Sequence, residues 1–164
     1  MDAEHSLVPI QEDDLGALLS LNNVFATELS LLDADSLSAL TRNAFYARRI
    51  GSVEAFAIAL DHANSDYKSP NYLWFRIRYP RFIYVDRIVV TETARGRGYA
   101  RRLYTDLMQH ALAAGHDRIV CEVNTNPPNP GSDAFHAALG FSEIGAATIH
   151  GGLKTVRYLE RRLK

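Results

Sequence analysis

The chain has 164 residues, 47% hydrophobic and 23% charged, and its 18 basic and 19 acidic side chains leave a formal net charge of -1. That size predicts one domain over 1–164 with a full core, and the charge balance excludes a surface wholly committed to nucleic acid while allowing a local basic patch. The single cysteine, Cys121, excludes a disulfide framework and a thiolate metal site. Neither a secretory signal in MDAEHSLVPI nor an apolar run of the roughly 20 residues a bilayer needs is present, so a cytoplasmic chain off the membrane is expected.

In chain order, residues 6–10 read as a short first strand. Leu15, Leu18, Leu19, Leu21 and Phe25 fall mostly at helical spacing, and Asp13 and Asp14 suit the start of that helix, where free amides favour acids. Residues 36–45 read as a second, shorter helix. YARRI and SVEAFAIALDH, on either side of Gly51-Ser52, read as a hairpin. Residues 62–80 hold two prolines and many turn formers, which predicts a long irregular loop. Its aromatics, Tyr72 and Trp74 among them, are either a substrate wall or surface-loop side chains tucked onto the core.

FIYVDRIVV, residues 82–90, is the strongest strand pattern. After ARGRGYARRLY, the apolar face of Ala100, Leu103, Tyr104, Leu107, Met108 and Ala111 predicts a helix ending at Gly115. RIVCEVN (118–124) is a further strand, SDAFHAAL a short helix capped by Ser132 or Asp133, and the remainder a closing hairpin around Gly151-Gly152. The fold class expected is α/β (α+β): a central mixed, twisted sheet of about six to seven strands flanked by helices. Residues 82–124 form a βαβ unit whose two strands run parallel with a right-handed crossover.

ARGRGYARRLY lies between a strong strand and a helix start. A helix N-terminus presents unpaired amides and positive dipole, and so attracts phosphate. Gly96 and Gly98 allow close approach or positive φ. Arg95, Arg97, Arg101 and Arg102 add charge at the same mouth. Two readings stand on spacing alone: a phosphate cradle, and a solvated arginine-rich helix start. No Gly-Lys-Ser/Thr follows, so the segment is not a Walker loop. With only two glycines, late in the chain, it is not a dinucleotide fingerprint either.

Arg95-Gly96-Arg97-Gly98-Tyr99-Ala100 resembles the R/Q-x-x-G-x-G/A coenzyme A loop of the GNAT (N-acetyltransferase) superfamily. Asn129 through Phe141, with Ser132, Phe135, His136, Leu139 and Gly140 in register, resembles the N-x-x-[SA]-x-x-[FL]-[YH]-x-x-L-G-F stretch of the same superfamily. The two motifs occur in the expected order, and the resemblance covers about 82–145. The family often has proline where Glu92 stands. The resemblance implies a GNAT-like domain with strands 82–91 and 118–124 splayed, and acetyl-CoA as cosubstrate. It places the pyrophosphate on residues 95–100, the pantetheine arm along backbone at Ile88 and Val90, an oxyanion donor at the N–H of Val89 or Val90, and Asn129 against the coenzyme arm. His136 falls where many members carry a tyrosine that protonates the leaving sulfur.

Acetyl transfer needs a neutral attacking amine, donors for the oxyanion and a proton for the thiolate. An imidazole titrates near neutral pH, so His136 could protonate the thiolate or only hydrogen-bond the sulfur. Asp86, an acid inside an apolar strand, expects a partner or a cleft. It could draw a proton from the substrate ammonium or bind that cation, or it could be ion-paired with Arg87. Alternation places it with Tyr84, Ile88 and Val90. Glu122 and Asn124 share a face of the neighbouring strand, and Asn124, at the strand end, joins Tyr72, Trp74 and Tyr84 as a weak substrate contact. The scattered histidines have no metal-ligand spacing, so no metal is expected.

The function expected is an acetyl-CoA-dependent N-acetyltransferase acting on a primary amine of a small molecule or protein, by direct attack through a tetrahedral intermediate. The alternatives are a non-catalytic acyl-CoA-binding module and, behind it, a nucleic-acid binder, whose affinity would depend steeply on salt. No nucleic-acid or membrane partner is expected, and an exposed edge in the final hairpin could support a homodimer.

Overall fold

A computed structural model describes residues 5–25, 32–64, 66–126 and 128–163. Seven strands form a sheet in the order β1-β2-β3-β4-β5-β7-β6. They are β1 (Leu7–Pro9), β2 (Tyr46–Ile50), β3 (Ala55–Asp61), β4 (Ile83–Val90), β5 (Arg118–Asn126), β6 (Ser142–Ile149) and β7 (Lys154–Arg162). The helices are α1 (Leu15–Val24), α2 (Ala34–Arg42), α3 (Pro70–Arg78), α4 (Tyr99–Ala113) and α5 (Pro130–Ala138). β1, β2 and β3 pair antiparallel, as do β5, β7 and β6, while β4 and β5 pair in parallel through Ile83–Ile119 and Tyr84–Val120. This is the expected mixed sheet.

Two compact units divide the chain: residues 1–60 with 85–109, and residues 61–84 with 110–164. In the first unit every residue of β3 from Ala55 to Leu60 is buried, which is why that strand reads as a continuous apolar run rather than an alternating one. The β2–β3 turn is tight: Val53 is buried and adopts a φ of 62°, a left-handed conformation that a β-branched residue rarely enters. α4 packs Leu103, Tyr104 and Leu107 inward, the period expected from the sequence. Asp33 caps α2 by accepting from the Ser36 amide at 2.7 Å, so the helix starts two residues earlier than expected.

The second unit departs from the sequence reading at residues 62–80. α3 begins at Pro70, a residue suited to the first helical turn, with the Leu73 amide bonded to the Ser69 carbonyl. Tyr72 and Phe75, three residues apart on its inner face, are fully buried. Turn-forming residues on both sides hid this helix. α5 also starts earlier than expected, at Pro130, and its cap is Asn129, whose side chain accepts from the Ser132 amide, rather than Ser132 or Asp133.

Trp74 stacks on Tyr158, ring centroids 4.1 Å apart. Gly145 lies against the indole: a Cβ there would fall 2.5 Å from it. Gly145→Ala must therefore displace Trp74, a loss of about 1–3 kcal/mol expected from overpacking. Urea unfolding checks the loss. Emission of the chain's only tryptophan checks the cause, since an unstacked indole changes its spectrum before global unfolding.

Candidate functional site

In the first unit, β4 ends at Val90 and a 3₁₀ turn over Glu92–Ala94 leads into the arginine–glycine loop. Gly96 has φ 83° and Gly98 has φ 77°, values that side chains with a Cβ adopt only at a cost. The Arg102 amide donates to the Gly98 carbonyl, so Gly98 stands at the start of the α4 hydrogen-bond ladder. The amides of the first turn behind it have no acceptor within the helix. A Cβ added at Gly96 or Gly98 meets nothing within 4 Å, so the space above the loop is open. Close backbone, open space, free amides and positive charge together fit a diphosphate.

Three arginines of the segment are held by distant parts of the chain. Arg95 lies over the Phe25 ring at 5.3 Å. Arg97 is 3.6 Å from Glu54. Arg102 donates to the His5 carbonyl at 3.0 Å, and the His5 ring meets the Tyr99 hydroxyl at 2.7 Å. A pocket of about 400 Å³ beside the loop is lined by Leu21, Val24, Phe25, Thr91, Glu92, Thr93 and Arg95. The N-terminal helix thus supplies an apolar wall that the motif gave no sign of.

Asp86 accepts from Arg87 Nε at 2.7 Å, and both side chains are almost fully buried. Arg87 Nη1 donates to the Oδ1 of Asn22 on α1, itself 0% exposed, at 2.7 Å. The ion-pair alternative for Asp86 is therefore what the geometry contains. Ile88 and Val90 share the half-buried face of β4 with Asp86, and Val89 is buried on the other.

The second unit gathers a different carboxylate. Glu122 Oε1 accepts from the Tyr84 hydroxyl at 2.9 Å and from the Asn71 amide at 3.0 Å. The Tyr158 hydroxyl donates to Asn71 Oδ1 at 2.9 Å. Burial pushes the Tyr158 hydroxyl up to about 12, with the Glu122 charge adding to the shift, so the phenol stays a neutral donor. Of the expected substrate contacts, Tyr84 belongs to this network and Trp74 reaches it through Tyr158. Tyr72 is instead a core residue, 0% exposed, edge-on to Phe82 and Tyr84, with its hydroxyl on the Asp61 carbonyl. Asn124 is buried next to a bulge in the β5–β7 ladder. Asn71 and Tyr158 were missed. Asn71 lay in the supposed loop, while Tyr158 sits opposite Glu122 in register, a partnership that only strand pairing reveals.

His136 is 4% exposed, with its ring edge-on to Phe135 and Phe141. Its Nδ1 lies 2.7 Å from the Ser132 carbonyl, which can only accept, so Nδ1 carries the proton. Burial holds the imidazole below its ordinary value, against the smaller pull of the Ser132 carbonyl and the Asp133 charge. Neutral His136 then presents Nε2 as an acceptor. Among the described residues, no group of three or more His, Cys, Asp or Glu could hold a metal, and no helix is long and apolar enough to cross a membrane.

The model of the acetyltransferase (GNAT) family matches residues 41–141, more than half of the chain. The protein belongs to that family and is an acyltransferase, and the chemistry it shares with the family is acetyl transfer. No protein of curated function matches the sequence. Solved structures agree in fold across nearly the whole chain. An N-acetyltransferase from Staphylococcus aureus Mu50 is 22% identical, with 97% of this chain and 98% of that one covered and a TM-score of 0.71. Ard1 from Thermoplasma volcanium is 13% identical, with 97% of each covered and a TM-score of 0.78. Arabidopsis thaliana NAA60 in complex with acetyl-CoA is 14% identical, with 96% and 97% covered and a TM-score of 0.75.

Two outcomes test the buried groups. Asp86→Ala removes the buried carboxylate paired with Arg87 and is expected to cost about 3–5 kcal/mol in urea unfolding; a carboxylate without a structural partner would lose far less. For His136, the folded imidazole binds its proton more weakly than the unfolded one. Stability is therefore at its full value well above about pH 6.5 and falls as pH drops through it, because only the unfolded chain takes up the proton readily. His116 is held down in the same sense, by burial first and by Arg81 and His62 after it. The melting temperature should fall between about pH 7.5 and 5.5. His136→Gln should flatten part of that slope and leave the His116 part.

Proposed function

We propose that the protein is an acetyl-CoA-dependent N-acetyltransferase that acetylates a primary amine on a small molecule or a protein. The observation that carries this reading is the loop at Gly96 and Gly98, two left-handed residues under open space at the head of a fifteen-residue helix. The amides of 95–100, with Arg95, Arg97, Tyr99 and Ala100 around them, would hold the coenzyme diphosphate. Backbone at Ile88 and Val90 would align the pantetheine arm, and the N–H of Val89 or Val90 would stabilise the oxyanion. The Asn129 side chain serves as the cap of α5, which leaves its carbonyl side committed and its amide to meet the coenzyme arm.

When bound, acetyl-CoA supplies an activated thioester: the amine nitrogen forms the new C–N bond, the C–S bond breaks, and the sulfur leaves with the electron pair and takes up the proton that the acylated nitrogen sheds. The ammonium proton must be lost before attack. For that step Glu122, which accepts from the Tyr84 hydroxyl and the Asn71 amide, is a better candidate than Asp86, whose carboxylate is ion-paired with Arg87. Asp86 then serves chiefly to fix β4. His136, as a neutral acceptor at Nε2, is better suited to orient the coenzyme thiol than to donate a proton to it.

Titrating acetyl-CoA into the protein by calorimetry tests the reading. Saturable one-to-one binding is expected, and Gly98→Glu should abolish it by placing a carboxylate and an unfavourable φ in the cradle. In an acceptor screen that detects free thiol, Glu122→Gln should lower kcat/KM by about a hundredfold or more with coenzyme affinity unchanged. No binding by a folded protein would remove the coenzyme reading.

A further inference from the structure

The arginines of the coenzyme loop are held unequally. Arg95 rests on an aromatic ring and Arg102 on a backbone carbonyl, both uncharged partners. Arg97 faces a carboxylate, Glu54 Oε2, at 3.6 Å. Glu54 is firmly placed by its backbone. Its amide donates to the Ile50 carbonyl at 3.0 Å, and its own carbonyl accepts from the Thr91 amide at 2.8 Å, at the point where β4 gives way to the loop. The buried, left-handed Val53 precedes it. Arg97 is the freer partner, with its side chain 53% exposed against 24% for Glu54.

We propose that Glu54 is a built-in competitor for Arg97, so that the coenzyme diphosphate binds by taking the guanidinium away from a carboxylate. The inference rests on the coenzyme reading of this loop. A guanidinium fork serves carboxylate and phosphate alike, and its affinity for one is lowered by proximity to the other. Glu54 has its main chain held and its side chain the less exposed of the pair, whereas the half-exposed Arg97 has room to swing toward a ligand. Glu54 thus weakens the cradle below what its arginine count suggests, and it gives Arg97 a partner to return to when spent coenzyme leaves. A merely structural Glu54 would act in the opposite sense, since its loss would loosen the loop and weaken binding.

The sign of one substitution separates the two. CoA is titrated into wild type, Glu54→Gln, Glu54→Asp, Arg97→Gln and the Glu54→Gln/Arg97→Gln double variant, at low salt and at roughly 200 mM. Glu54→Gln keeps the backbone contacts, and an unchanged melting temperature verifies that the turn is intact. It is expected to bind CoA about threefold tighter at low salt, the scale of a partly exposed ion pair, and to lose affinity more steeply as salt rises. Glu54→Asp should behave as wild type, and Glu54→Gln should have no effect once Arg97 is glutamine. Equal or weaker binding by Glu54→Gln, with wild type binding normally, would overturn the competitor role alone. Failure of wild type to bind CoA would overturn the coenzyme reading and this inference with it.

Discussion

Between Val90 and Tyr99 the chain must leave a buried strand and enter a helix whose inner face is equally buried, with Leu103, Tyr104 and Leu107 at 0–1% exposure. Both ends of the connection are therefore fixed by packing, and the backbone between them has little freedom. The turn is made with Gly96 and Gly98 in the left-handed region, and it is braced by the Thr91 amide on the Glu54 carbonyl. The arginines, the open space and the exposed first-turn amides take their positions from that reversal. Replacing either glycine would strain the backbone even though a Cβ has room, so the requirement at these positions is conformational rather than steric.

Buried charge is handled in two ways in this protein. Asp86 is neutralised by Arg87, whose guanidinium is tied in turn to Asn22. Desolvating both ions is tolerable only because each hydrogen bond is short and well partnered. Glu122 accepts instead from the Tyr84 hydroxyl and the Asn71 amide, the latter oriented by Tyr158.

Much of the frame was legible in the amino-acid order. β-branched and aromatic residues marked β4, a 3.6-residue period marked α4, and the two glycines marked the turn between them. The loop expected at 62–80 contains α3 instead. Ser69-Pro70 serves a helix start as well as a turn, and the inward spacing of Tyr72 and Phe75 was the available signal. Asn129, expected against the coenzyme arm, is also the cap of α5. A cap of this kind uses the carbonyl oxygen of the side chain and leaves its amide.

The sequence by itself marked most of the strands and helices, allowed positive φ in the β4–α4 connection, and pointed to the family the chain belongs to. Those properties depend on periodicity, capping and short motifs, which act over a few neighbouring residues. Tertiary structure alone decided which groups each buried acid meets. The partners concerned are 65 positions apart for Asn22 and Arg87, 38 for Tyr84 and Glu122, and 87 for Asn71 and Tyr158. No local pattern encodes a partner at that separation. It is set by which strands pair and which helix packs on them, and a carboxylate's chemistry follows from the groups that this packing brings within hydrogen-bonding distance.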